Sequence, residues 1–169
     1  MSSFYSTEPV AAAQAIDETS ATKVMPLGTI VRAVDSASTQ YGAGEFIYLL
    51  GVASTVVGSV VVYNADNYAT TLASANAVGP VATAMSINVA DQYGWYQIQG
   101  KGVAKVLSGF ADNGDCYLTS SSTAGSIDDA DVAGDYIRGL LGASAIGTPS
   151  SGLAEVEMWR PFVNDGKDD

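Results

Sequence analysis

Glu155 and Glu157 stand two residues apart with Trp159 two further on, so on a strand all three side chains leave by one face. Two carboxylates beside an aromatic ring have the composition of a glycoside-cleaving centre, one carboxyl giving a proton and the other acting as base or nucleophile. Sequence spacing does not set the separation of the two groups in space, and charged side chains on a strand are solvated as a rule. The pair is therefore read first as a solvated face and second as a hydrolytic centre. The run Asp128-Asp129-Ala130-Asp131-Val132-Ala133-Gly134-Asp135 invites a calcium loop. If Gly134 is the central glycine of such a loop, Asp129 and Asp131 fall on ligand positions. Ala133 then occupies a third, and Leu140 stands where a glutamate belongs. Asp112-Asn113-Gly114-Asp115 is a second acidic loop that can meet the first at one ion. Turns in which Asp and Asn bond their own backbone account for both segments without a metal, and neither a metal nor a cofactor is assigned. Nucleophilic chemistry has little to work with. The chain contains no His, its one Cys, Cys116, has no base to activate it, and no signature surrounds a Ser-Lys pairing with Lys23, Lys101 or Lys105. Phosphate loops and dinucleotide fingerprints are absent, and no catalytic residue is assigned.

The elements that must position these groups read as β. Gly58-Ser59-Val60-Val61-Val62-Tyr63, Gly114-Asp115-Cys116-Tyr117-Leu118 and Gly134-Asp135-Tyr136-Ile137 each run from a glycine-polar corner into a short apolar strand. Further strands are expected at 29–34, at 46–50 (apolar on both faces and so covered on both), at 95–101, at 103–107 and at 154–159. Residues 81–89 alternate most cleanly: Val81, Thr83, Met85, Ile87 and Val89 share one face, Ala82, Ala84, Ser86 and Asn88 the other. Roughly nine short strands with frequent turn signals give an all-β fold, a small sandwich or barrel. The organisation expected is an irregular N-terminal arm over 1–22, a β domain over 23–163 and a solvated acidic tail over 164–169.

Composition narrows the partners. Of 169 residues, 47% are hydrophobic and only 15% charged, which favours burial of the surface against other subunits. The charge is one-sided, 18 acidic against 7 basic residues for a net −11, so no nucleic-acid partner and no anionic membrane surface is expected. No apolar run is long enough for a membrane helix, the N-terminus lacks the basic start of a secretory signal, and a lone cysteine suits a protein kept in a reducing cytoplasm.

The aromatic residues carry more. Trp95 shares its strand face with Gln97, Gln99 and Lys101, and Trp159 shares its own with Glu155 and Glu157. A tryptophan on a polar face is packed under a loop or belongs to an interface, where Trp is enriched, and a sugar-stacking platform has the same appearance. Subunit contact is the preferred reading. The expected contact residues are Phe4, Tyr5 and Val10 of the arm, Phe46 and Tyr48 of the doubly apolar strand, Trp95 and Gln97, and Trp159.

Three stretches resemble the capsid decoration (cement) proteins of tailed bacteriophages. They are Leu27-Gly28-Thr29-Ile30-Val31-Arg32-Ala33; Gly79-Pro80-Val81-Ala82-Thr83-Ala84-Met85 with Ala90-Asp91-Gln92-Tyr93-Gly94-Trp95-Tyr96-Gln97-Ile98-Gln99-Gly100; and Gly114-Asp115-Cys116-Tyr117-Leu118 with Thr123-Ala124-Gly125. The likeness spans approximately 24–163. It implies a small β protein, often a homotrimer, made in the bacterial host's cytoplasm. Such a protein sits on the exterior of an icosahedral head, bridges copies of the major capsid protein and has no enzymatic activity. Two rivals remain: a head-fibre or host-glycan-binding module, using an exposed aromatic such as Trp95 or Trp159, and a carboxylate hydrolase using Glu155 and Glu157.

Overall fold

A computed structural model of the chain describes residues 4–6, 14–37 and 39–164, with the backbone alone for Phe4–Ser6. Twelve strands form one antiparallel sheet that curls on itself without closing, a sandwich-like β fold. They are β1 (Phe4–Ser6), β2 (Thr19–Ser20), β3 (Ile30–Asp35), β4 (Ala43–Leu50), β5 (Val60–Tyr63), β6 (Thr70–Leu72), β7 (Gly79–Ala84), β8 (Tyr93–Lys105), β9 (Asp115–Leu118), β10 (Ile127–Asp128), β11 (Tyr136–Gly142) and β12 (Leu153–Val163). Among the described residues, a 3-10 turn at Ser121–Thr123 interrupts them.

The spine is β8, which the sequence divides at its glycines but which runs unbroken for 13 residues. Its first half pairs with β4, from Leu50↔Tyr93 to Glu45↔Gln99. Its second half pairs with β12 over seven consecutive positions, from Trp159↔Gln99 to Leu153↔Lys105. Gly100 lies at the handover with φ +97, and a Cβ there would meet the Ala43 carbonyl oxygen at 2.6 Å. Only glycine lets the strand pass so close to β4 while turning toward β12.

Three apolar clusters follow from this path. Val60, Val81, Ala104, Val106, Cys116, Ile137, Leu140, Val156 and Met158 fill the lobe around the second half of β8. Ile16, Val31, Phe46, Tyr48, Met85 and Trp95 pack on one side of its first half. Ile47, Leu49, Val61, Ala82, Ala84, Tyr96 and Ile98 pack on the other. β4 is thus apolar on both faces because both are covered, as its sequence implied.

Several expectations need correction. Regular alternation from 81 to 89 breaks after Ala84, where β7 ends. Ile87 is exposed while Asn88 is fully buried, donating its side-chain amide to the Tyr96 hydroxyl at 3.0 Å. The Asn88 N–H bonds the Ser86 carbonyl at 2.9 Å, a local turn that outcompetes strand pairing. The small-residue face of β7 is interior: Ala82 and Ala84 are completely buried. The arm is not separate up to residue 22, because Gln14 and Ile16 are buried and β2 pairs with β8. Phe4–Ser6 add an edge strand to β3 of the same chain, with Tyr5 opposite Val34. Val10 and residues 165–169 lie outside the described residues.

Candidate interaction surface

Four of the expected contact residues are interior. Phe46, Tyr48, Trp95 and Gln97 have no accessible surface in the protomer, and Gln14 and Ile16 close over Tyr48 and Trp95. Trp95 packs edge-on against Tyr48, ring centroids 5.1 Å apart. Its indole N–H donates to the Gln14 carbonyl at 3.2 Å, and the Tyr48 hydroxyl donates to Gln14 Oε1 at 2.8 Å. The Gln97 amide donates to the carbonyls of Gln99 and Lys101 at 3.1 and 3.0 Å, while its Oε1 has no hydrogen-bond partner among the described residues. These side chains build the protomer and do not face a partner.

The carboxylate pair also behaves differently from a solvated face. Glu155 is buried: one carboxylate oxygen accepts from Lys101 Nζ at 2.8 Å, and the other accepts from the Gln40 amide. The Tyr41 hydroxyl bonds to the same carboxylate, and its pKa is pushed up to about 12 by burial first and then by the charges of Glu155 and Asp35. Glu155 thereby braces the turn before β4 against β8 and β12. Beside it, Tyr41, Val57, Met85, Val103, Pro149 and Leu153 line a hollow of about 450 Å³. Glu157 stays half-buried at the surface, opposite Lys101. A second brace has Glu45 at its centre, accepting from Arg32 at 3.3 Å on one oxygen and from Arg160 at 2.6 and 3.1 Å on the other. It ties β3, β4 and β12 together.

The two acidic loops do approach one another. Asp129 accepts from the Ala111 N–H at 2.9 Å, and a Cβ on Gly114 would lie 3.6 Å from that of Asp129. Asp135 is buried and accepts from the Asn76 N–H at 2.7 Å. Among the described residues, no three carboxylates, thiols or imidazoles converge on a point that could hold an ion. Cys116 is buried in the core with its thiol pushed up to about 12 by burial and the nearby Asp115, so at neutral pH it stays protonated and unreactive.

Exposed apolar side chains include both aliphatic residues such as Val78 and Ile87 and the aromatic Trp159 and Phe162. On β9, β11 and β12, register decides which side chains share the outer face. Cys116, Leu118, Ile137 and Val163 point inward, so Tyr117, Tyr136, Arg138 and Phe162 point outward. Tyr136 stands opposite Tyr117, and Arg138 opposite Phe162. The two tyrosine rings lie 5.6 Å apart, and the Arg138 guanidinium sits 5.9 Å above Tyr136. Phe162, 46% exposed, continues the band toward Pro80 of β7, beyond which Val78 is 63% exposed. Partial burial and the carboxylates of Asp131 and Asp115 hold the Tyr117 hydroxyl above the usual phenol range, so the band is neutral apart from Arg138. Sequence reasoning missed it because Tyr117, Tyr136 and Phe162 come from three separate segments. The alternation Cys116-Tyr117-Leu118 and Tyr136-Ile137-Arg138 was the available signal. Of the expected contacts with described side chains, Trp159 alone lies at the surface, 56% exposed.

No family model matches this chain, and neither a curated protein nor a solved structure matches it.

Proposed function

We propose that this chain is a structural virion protein that decorates the exterior of an icosahedral phage head, bridging major capsid subunits and stabilising the shell. The reading rests on the resemblance of its turn-and-strand stretches to phage cement proteins. The single structural observation that supports it is the outward-facing band of half-buried Tyr117, Tyr136 and Arg138 with exposed Phe162. Tyr, Phe and Arg are the residue types enriched at protein interfaces, and a few such anchors carry most of the binding energy. Here they stand on paired strands, so little ordering cost accompanies their engagement. A clamp that binds only the assembled shell stabilises it by mass action, and repetition over many sites multiplies a modest affinity. Self-association into a trimer presents several copies of the band at once.

The test is direct. Particles purified from the infected bacterial host are examined for the chain, and heads lacking it are titrated with the purified protein. The expected result is saturable binding that raises the temperature at which the heads release DNA. A Tyr136→Ala/Phe162→Ala variant should unfold within a few degrees of the parent yet bind at least tenfold more weakly. Particles without the chain, or heads that ignore the parent protein, overturn the proposal.

A further inference from the structure

Trp159 is exposed in surroundings unlike those of the aromatic band. On the β8–β12 ladder, Trp159 faces Gln99, Glu157 faces Lys101 and Glu155 faces Val103, so these side chains share one face. Trp159, Gln99, Gly100, Lys101, Glu157 and the buried Met158 enclose a hollow of about 220 Å³. The indole is the one large apolar group presented there. Its neighbours are an amide, a carboxylate and an ammonium, with the Lys101–Glu155 pair at the far end.

From this arrangement we infer a binding site for a neutral oligosaccharide. A pyranose ring offers one face of C–H bonds and a rim of hydroxyls. It is matched by an open aromatic face with flat hydrogen-bonding side chains beside it, and the hollow next to the ring admits the sugar's edge. Gln99 supplies both a donor and an acceptor, Glu157 two acceptors and Lys101 donors, which together suit hydroxyls that do both. A protein hot spot needs further apolar contact around its anchor to exclude water, and polar side chains occupy that rim here. The opposite charges of Glu157 and Lys101 and the chain's net −11 select against acidic sugars. The platform is rigid, because seven consecutive cross-strand pairs hold it, so affinity is not spent on ordering the site.

The chain's two tryptophans make the test clean. Trp95 is buried with its indole N–H bonded to Gln14, so its indole NMR signal reports the fold, while that of Trp159 reports the surface. The full chain, labelled with nitrogen-15, is titrated with maltohexaose, cellohexaose, mannohexaose and chitohexaose at millimolar concentration. The expected result is a saturable shift of the Trp159 signal with at least one of them, while the Trp95 signal stays in place. Trp159→Ala should abolish the remaining backbone shifts around Gln99, and Gln99→Ala and Glu157→Ala should each weaken binding at least fivefold. Absence of a saturable shift with all four sugars overturns the inference. So does a Trp159 signal that moves on concentrating the protein alone, which would make the ring a protein contact. Neither result bears on whether heads bind the chain through Tyr136 and Phe162, so the two proposals fail separately.

Discussion

Gln14 is the residue on which the N-terminal closure of the core turns. Its side-chain amide donates to the Glu18 and Tyr93 carbonyls at 2.8 and 3.0 Å, and its Oε1 accepts from the Tyr48 hydroxyl at 2.8 Å. Gln14→Ala deletes all three bonds but keeps the backbone carbonyl that holds Trp95. At about 1 kcal/mol per bond, the loss is about 3 kcal/mol, since the Tyr48 hydroxyl then loses the acceptor for its buried proton. For a chain of this length that lowers Tm by about 6–12 °C. Within an overall stability of about 5–15 kcal/mol, the variant still folds. The partner variant Tyr48→Phe removes one of the three bonds and should cost about 1 kcal/mol. Because that bond is common to both variants, the double variant should be less destabilised than the sum of the two by about 1 kcal/mol. Urea unfolding followed by tryptophan fluorescence reads all three, because Trp95 lies against the same glutamine. The midpoint should fall with the slope unchanged. A Gln14→Ala midpoint equal to the parent's, or strict additivity in the cycle, would refute the reasoning and place residues 14–20 outside the cooperative unit.

Two further predictions concern the interior. Burial pushes Tyr41, Tyr96 and Cys116 up to about 12 from ordinary values of 10.0, 10.0 and 9.0. These groups stay protonated in the folded state where the unfolded chain has already released its protons. Their contribution is therefore complete below about pH 9 and is lost as pH rises toward 12. Each group removes at most about 1.4 kcal/mol per pH unit, so Tm measured from pH 8 to 11 should fall steeply above pH 9.5, and a flat profile would count against the burial of these groups. Gly51→Ala drives a methyl group onto the backbone carbonyl oxygens of Asn88 and Val89, neither of which can yield, and should leave no soluble folded protein. Gly42→Ala, at φ +61 with open space around it, should cost only about 1 kcal/mol in a thermal melt, and equal losses at both sites would refute the packing argument.

The two tryptophans show where sequence stops being informative. Each lies in a strand whose same-face neighbours are polar, and nothing local separates them. Trp95 is enclosed because Gln14, Tyr48 and Ile16 arrive from elements distant in sequence, whereas among the described residues no segment covers Trp159. Strand existence was legible from corners and alternation, because both are set by neighbours within a few residues. The doubly covered β4 was legible because burial on both faces leaves no polar period. Strand ends were not: residues 85–89 keep an alternating pattern, yet Asn88 gains more from Tyr96 and a local turn than from pairing. Glu155 looked solvated for the same reason that Trp95 looked exposed. Of the residues that neutralise and bond it, Gln40 lies 115 positions away, with Tyr41 beside it, and Lys101 also comes from a separate strand.

The use of positive charge connects the fold to the proposed role. The sequence has only 7 basic residues, and Arg32, Arg160 and Lys101 are committed to Glu45 and Glu155. Those pairs lock the β3–β4 hairpin to β8 and β12. Glu45 and Glu155 are buried, so removing either arginine or the lysine would leave a carboxylate undercompensated at the centre of the sheet. Arg32 and Arg160 stay largely exposed while paired, so the chain's acidity comes from its 18 acidic against 7 basic residues, and Arg138, laid over Tyr136, is the charge inside the aromatic band. Such a surface fits a partner with an apolar centre and a basic rim: the rim meets the surrounding carboxylates, while Tyr117, Tyr136 and Phe162 fill the centre. It repels the phosphates of nucleic acid, so a clamp of this kind does not compete with its shell for the packaged genome. A basic exterior would have had to choose between the two.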